Sequence, residues 1–259
     1  MSSNVNQTKN DAPTLDTPLL NDEQQEQSQS QKDLYSARKA YKKAHLTEDV
    51  VSKNPFAQFK QWYEEAESQG LEEPNAMVIA TVDEHNAPNT RTVLLKVFDE
   101  KGFVFFTNYT SQKAKEIDRN PNVSIQFLWL GLERQVKIRG TAKRIALKES
   151  MHYFFARPKG SQIGAWVSHQ SQVISSRFLL SSQYHKLKDK FMHGEVPFPD
   201  FWGGYRIEPE YFEFWQGGDN RLHDRIVYEP TETLNKNLNE TSTIQDSEHK
   251  QWNIKRLAP

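Results

Sequence analysis

The sequence contains no cysteine. That excludes disulfides, thiolate metal sites and a cysteine nucleophile. It also lacks an apolar run long enough for a membrane-spanning helix, and its start is polar rather than signal-like. Net charge is nearly absent, because 33 Lys and Arg stand against 34 Asp and Glu, leaving -1. No global field therefore draws the chain to nucleic acid or to an acidic membrane surface, and an anion site has to be built from local clusters. Gly-x-Gly-x-x-Gly, the Gly-Lys-Ser/Thr phosphate loop and the β-α-β alternation that accompanies them are missing as well. A nucleotide phosphate would then be held by side chains. The simple reading is a soluble, cytoplasmic protein of one large domain or two small ones.

Residues 1–31 are rich in Asn, Gln, Ser, Thr and Asp with almost no aromatics, which predicts a disordered tail. From 32 to 259 the pattern reads as a single domain. Asp33 to Leu46 is basic and reads as a solvated helix. Asn54-Pro55 starts a helix that carries Phe56, Phe59, Trp62, Tyr63 and Ala66 at helical spacing and stops at Gly70. Short strands follow over Ala76–Val82, Arg91–Phe98, Phe103–Thr107, Val123–Leu130 and Glu133–Ile145. Further strands are expected over Trp202–Ile207, Tyr211–Trp215, Leu222–Tyr228 and Gln251–Leu257. Helices are expected over Ser111–Asn120, Leu147–Ala156, Ser161–Ser168 and Arg177–Phe191. Residues 229–250 form a polar insert that reads as a mobile loop. Many short strands in hairpin order, with a few helices between them, predict an α+β domain around an antiparallel β-barrel.

Several clusters have the composition of an anion site. Arg221, His223 and Arg225 follow the turn Gly217-Gly218-Asp219-Asn220. On an extended chain all three would leave one face, beside the aromatic Tyr211, Phe212, Phe214 and Trp215. Such a face suits a flat phosphorylated ligand, although a solvated basic edge strand explains three alternating cations equally well. Arg91 and Lys96, five apart, would point to opposite faces of a regular strand. Serving one site would need a bulge or a site that wraps the strand, and a strand with charged ends is the simpler account. Thr107, Ser111 and Lys113 surround a helix start, where an ordinary cap is an alternative to a phosphate site. Tyr153 and Arg157 share a helix face with Ser161 just beyond it, and together could cradle a phosphate.

The stretch Phe212-Glu-Phe-Trp-Gln-Gly-Gly-Asp-Asn-Arg-Leu-His-Asp-Arg225 resembles the signature of the pyridoxine/pyridoxamine 5'-phosphate oxidase family. So do Arg91-Thr-Val-Leu-Leu-Lys96, Phe106-Thr107, Glu133-Arg-Gln-Val136, Ser161-Gln-Ile-Gly-Ala-Trp-Val-Ser168, Phe201-Trp-Gly-Gly204 and Arg256-Leu-Ala-Pro259. The resemblance implies a split β-barrel with peripheral helices, forming a homodimer with FMN in the cleft between subunits. It implies oxidation of pyridoxamine 5'-phosphate or pyridoxine 5'-phosphate to pyridoxal 5'-phosphate, with dioxygen reduced to hydrogen peroxide. By the same resemblance, FMN would meet Arg91, Thr92, Val93, Leu94, Leu95, Lys96, Phe106, Thr107, Gln112, Lys113, Gln135, Gln170, Ser171, Trp215 and Arg225. The substrate phosphate would meet Lys96, Tyr153, Arg157 and Ser161. Arg221 and His223, with Leu222 between them, would lie against its ring as the catalytic pair, and Arg38 and Tyr41 would close over it. No metal is implied.

Gln112 departs from the family's pattern, which usually has arginine there, so one phosphate cation is missing. A non-catalytic flavin or pyridoxal phosphate carrier on the same barrel is the alternative. A single-strand nucleic-acid module is a third class, which the near-neutral charge and the lack of a basic stripe count against.

Overall fold

The computed structural model describes residues 40–231 and 251–259. The expected tail over 1–31, Arg38 and most of the polar insert lie outside the described residues. Residues 40–46 are irregular, so the helix expected from Asp33 does not extend through them. Helix α1 is Pro55–Ser68; the Asn54 side chain accepts from the Phe56 N–H at 2.8 Å, and proline takes the first turn. Its buried face carries Phe59, Trp62 and Ala66. No helix among the described residues is long and apolar enough to cross a membrane.

The strands are β1 (Ala76–Val82), β2 (Pro88–Leu94), β3 (Val97–Asp99), β4 (Gly102–Asn108), β5 (Asn122–Trp129), β6 (Arg134–Arg144), β7 (Trp202–Gln216), β8 (Asp224–Pro230) and β9 (Trp252–Leu257). They pair antiparallel throughout, in the order β2-β1-β5-β6-β7-β4-β3, with β8 and β9 added beside β7. Strands β5 and β6 alternate between core and exterior, whereas β4 is buried along almost its whole length. In β5, Val123, Ile125, Phe127 and Trp129 are buried, while Ser124, Gln126 and Leu128 face out.

The strand expected over Arg91–Phe98 is two strands. The path begins at β2 and ends at β3, which are consecutive in the chain, so Leu95 and Lys96 close the curled sheet covalently. Leu95 N–H donates to Asn75 O at 2.9 Å on the β1 side, and Lys96 N–H donates to Val104 O at 2.9 Å on the β4 side. The two residues divide their hydrogen bonds between the two edges, which breaks the regular alternation.

The two strands expected over Trp202–Ile207 and Tyr211–Trp215 are instead one. The first half of β7 pairs with β4, and the second half pairs with β8, while β6 runs along both. Glu208-Pro209-Glu210 reads as a break in sequence, but the chain absorbs it as a register shift opposite Arg139/Gly140. A Cβ on Gly140 would lie 2.0 Å from the Glu208 carbonyl oxygen, so only glycine allows this approach.

The core is aromatic. Phe59 meets Phe103 at 4.9 Å and Phe127 at 5.0 Å between ring centroids, and Trp62 meets Phe214 at 5.3 Å. Each fully buried ring contributes about 2–3 kcal/mol. A second cluster lies outside the barrel, formed by helices α3 (Leu147–Ala156), α4 (Lys159–Val167) and α5 (Arg177–Lys190). Phe154, Ile163, Val167 and Trp202 are its centre, and Leu180, Tyr184 and Leu187 pack onto it from the apolar stripe of α5. Helix α2 (Gln112–Arg119) follows β4.

Candidate active site

The join between β2 and β3 places Arg91 and Lys96 on one cavity despite their odd spacing. This cavity, of about 920 Å³, lies between that join, β4, the start of α2 and helices α3 and α4. It gathers Arg91, Thr92, Val93, Leu94, Lys96, Phe106, Thr107, Gln112, Lys113, Tyr153, Arg157, Ser161, Gln170 and Ser171. Segments as far apart in the chain as Asn89 and Trp202 thus share one site.

One end is a cage around an amine. Lys113 Nζ donates to Gln170 Oε1 at 3.0 Å, to Thr107 Oγ1 at 3.1 Å and to Ser111 Oγ at 3.4 Å. These acceptors are neutral. Burial, and then the charge of Arg91, push the Lys113 ammonium down to about 8. Ser111 also caps α2 by accepting from the Ala114 N–H, so the cap and the candidate phosphate site coexist. Behind the cage, Arg91 Nη2 pairs with Glu116 at 3.1 Å, and Arg91 also donates to Thr81. Thr81 in turn donates to Glu116 at 2.5 Å, and Asn89 donates at 2.8 Å. Burial alone would raise the Glu116 carboxyl; hydrogen bonds from Thr81, Asn89, Gln112 and Arg91 hold it below the usual range.

The other end is a wall of flat rings. Phe106 stacks on Tyr153 at 4.0 Å and on Trp202 at 5.4 Å. The Arg157 guanidinium lies 4.7 Å over Trp202. Arg157 Nη1 is buried and has no hydrogen-bond partner. A buried orphan donor on a cation costs stability unless a ligand satisfies it. An anionic group bound at Arg157, Tyr153 and Ser161 would do so.

Other expected residues are elsewhere. Leu95 is in the core, 4% exposed, and Asn75 takes both its N–H and its carbonyl. Gln135 is on β6, bonded to Gln126 at 3.0 Å. Tyr41, Trp215 and His223 form a separate aromatic cluster: Trp215 and His223 are 4.7 Å apart, and Tyr41 is 5.8 Å from each. A Cβ on Gly217 would come within 2.8 Å of the Tyr41 ring, so the glycine makes room for it. The Gly218 N–H donates to His223 Nδ1 at 3.1 Å. In the neutral ring this leaves the proton on Nε2.

The shared face expected of Arg221, His223 and Arg225 is corrected. Asp219–Arg221 is a 3-10 turn, with φ of 54° at Asn220 and 65° at Arg221. The chain is not extended there, so alternation does not apply. Arg221 and Leu222 are exposed on the turn, and Arg225 is in β8, bonded to Glu213. None of Arg221, Leu222, His223, Arg225, Trp215, Gln135 or Tyr41 lines the cavity.

Trp202, Asn89, Asn108 and Ser168 line the cavity without having been singled out for it. Trp202 had a signal, an aromatic before two glycines. The polar residues had none, because only the fold brings them in.

The chain matches the family model described as pyridoxamine 5'-phosphate oxidase over residues 63–191. It also matches the model described as pyridoxine 5'-phosphate oxidase C-terminal dimerisation region over 202–259. It is 58% identical to pyridoxine/pyridoxamine 5'-phosphate oxidase 2 of Hydrogenovibrio crunogenus, covering 87% of this chain and 98% of that one. It is 54% identical to pyridoxine/pyridoxamine 5'-phosphate oxidase of Crocosphaera subtropica, covering 88% of this chain and 100% of that one. Among solved structures, PhzG from Burkholderia lata, in complex with tetrahydrophenazine-1-carboxylic acid, superposes with a TM-score of 0.71. It is 26% identical and covers 83% of this chain and 98% of its own. An FMN-binding protein from Nostoc punctiforme superposes at 0.59 with 12% identity, over 80% of this chain and 99% of its own, and shares the fold.

Proposed function

The chain belongs to the pyridoxamine 5'-phosphate oxidase family and is an FMN-dependent oxidase; on that premise we propose how its residues divide the work on pyridoxamine and pyridoxine 5'-phosphate, with dioxygen as the oxidant and the cytoplasm as the setting. The observation that carries the reading is the cavity's two separate buried cationic groups, Lys113 in its cage of neutral acceptors and Arg157 with its unsatisfied Nη1. Two phosphates are what FMN and a phosphorylated pyridine bring.

FMN, when bound, supplies the two-electron acceptor for the substrate's C4' hydrogen. Lys113 and Arg91 hold its phosphate, helped by Thr107, Gln170 and Ser171, with Gln112 standing where the family usually has a cation. Thr92, Val93, Leu94 and Phe106 shape the wall. Arg157, Tyr153, Ser161 and Lys96 hold the substrate phosphate. Arg221 and His223 orient the substrate ring, and Tyr41 closes against His223. Gln135, Trp215 and Arg225 meet the flavin. Since these last groups are on the same chain but off its cavity, one complete site takes the cavity from one protomer and the Arg221–His223 turn from its partner. The dimerisation region, residues 202–259, contains that turn. The non-catalytic alternative rests on Gln112 alone, and the presence of Arg221 and His223, which a carrier would not need, counts against it.

The reading is tested by mixing yellow protein with pyridoxamine 5'-phosphate without oxygen. Bleaching of the flavin, with pyridoxal 5'-phosphate formed one for one, is expected. Substrate binding without bleaching would mark a carrier.

Lys113 gives a pH prediction. Its pKa is lowered from 10.5 to about 8 in the free protein. Between those values the unfolded chain binds more protons, so free-protein stability rises as pH climbs from about 8 to 10.5. FMN affinity runs the other way, because the phosphate is held by the ammonium form. FMN titrations should be flat below pH 7.5 and weaken by up to roughly tenfold per unit above about 8. Lys113→Arg should flatten the curve, and an equally steep curve in that variant would remove Lys113 from the phosphate site.

A further inference from the structure

Three N–H groups of Arg225 are committed within the chain. Nε donates to Glu213 Oε1 at 2.9 Å, Nη2 lies in an ion pair with the same oxygen at 2.8 Å, and Nη1 donates to the Ala258 carbonyl at 2.9 Å. A guanidinium has five N–H donors in a rigid fork, so fixing these three fixes the direction of the rest. Glu213 is 3% exposed. Its other oxygen accepts from Lys137 Nζ at 2.6 Å and from the Tyr211 hydroxyl at 3.0 Å. Burial alone would raise the Glu213 carboxyl, and the bonds from Lys137 and Arg225 hold it below its usual range. Burial and the Glu213 charge push the Tyr211 phenol up to about 12, so it stays a donor to that carboxylate.

The Ala258 carbonyl needs a separate explanation. β9 ends at Leu257, opposite Arg225, so Ala258 and Pro259 lie beyond the sheet's ladder and are exposed. Among the described residues their polar contact with the body of the fold is the bond from Arg225 to the Ala258 carbonyl. Two residues earlier, Arg256 ties the same terminus to Asp224 at 2.6 Å and to Glu48 at 2.7 Å. Strand β9 is thereby anchored two residues before the carbonyl that reaches Arg225.

We infer that Glu213 and the Ala258 carbonyl are positioning groups for Arg225, and that the last two residues of the chain belong to the flavin site. The inference rests on the assignment of Arg225 to FMN made above. Glu213 sets the plane of the guanidinium through one hydrogen bond and an ion pair to the same oxygen, and Ala258 fixes its rotation through Nη1.

The test is FMN affinity, measured by quenching of flavin fluorescence, with thermal midpoint as a control. Deletion of Ala258–Pro259 and Glu213→Gln are each made alone and in the Arg225→Ala background. Each alone should weaken FMN binding about tenfold, as loss of one charge-assisted bond does. Both effects should vanish once residue 225 is alanine, because groups that act through one partner are not additive. The deletion should leave the thermal midpoint unchanged. Unchanged affinity in the deletion variant overturns the inference, and so does an equal loss in the Arg225→Ala background. If Arg225→Ala itself binds FMN normally, the assignment of Arg225 to the flavin fails, and the positioning role falls with it.

Discussion

Arg157→Ala should raise KM for pyridoxamine 5'-phosphate by on the order of 10- to 100-fold, the equivalent of one lost charge-assisted contact. The same variant should leave the FMN-free protein as stable as before, or more so. In the free protein the guanidinium is half-buried with Nη1 unsatisfied, burial works against its charge, and its stacking over Trp202 offsets that cost only in part. A site residue that costs stability until the ligand arrives is a common trade between activity and stability. The loss should be specific to the phosphate, so discrimination against unphosphorylated pyridoxine should fall by the same factor. Steady-state kinetics on both substrates beside thermal melts decide it. A variant that melts several degrees lower with unchanged KM would make Arg157 a structural residue of the α3–α4 cluster.

Arg221→Ala should keep the protein yellow and folded while lowering kcat/KM by on the order of 100-fold, the cost of misplacing a reacting carbon by a fraction of its working distance. Asn220 and Arg221 both have positive φ, an unfavourable backbone for residues other than glycine. The chain holds this turn because Gly218 donates to His223, Tyr41 packs against His223, and Asp219 accepts from the Leu222 N–H at 2.9 Å. His223→Ala should act in the same direction but less, since a neutral imidazole offers one weaker bond. Arg225→Ala should instead lower FMN occupancy, with part of the activity restored by excess FMN. Flavin titration beside kinetics on the three variants separates ring orientation from cofactor binding. Loss of FMN in Arg221→Ala to the same degree as in Arg225→Ala would remove that division.

Much of this architecture was legible in the sequence. The strand expected over Glu133–Ile145 is β6, Arg134–Arg144, with Val136 and Ile138 buried and Gln135 and Lys137 half-buried between them. Asn54-Pro55 marked the start of α1 correctly because capping is local chemistry. Tyr153, Arg157 and Ser161 could be grouped because helix geometry is regular over short spacings. Arg91 and Lys96 could not, because their meeting depends on the barrel closing between them, a long-range constraint that no local period carries. The single strand β7 was hidden for a similar reason: Pro209 reads as a terminator unless the partner strand supplies a bulge at Gly140. The turn at Asn220-Arg221 defeated the alternation argument, which assumes an extended chain, after two glycines that already warned against it. Glu213 and Glu116 were invisible as site residues because they act on other side chains rather than on a ligand.

The account's central claim is that one working site is assembled from two protomers. The cavity has no Arg221 or His223 of its own, and the two variants described above each remove one half. Refolding Arg157→Ala with Arg221→Ala in equal amounts gives statistical dimers, about half of them mixed. In each mixed dimer one site carries both defects and the other carries neither. The mixture should therefore recover about a quarter of wild-type kcat/KM at saturating FMN, although each parent alone is nearly inactive. Activity no higher than the average of the two parents would show that each chain builds its own site, and would contradict the account.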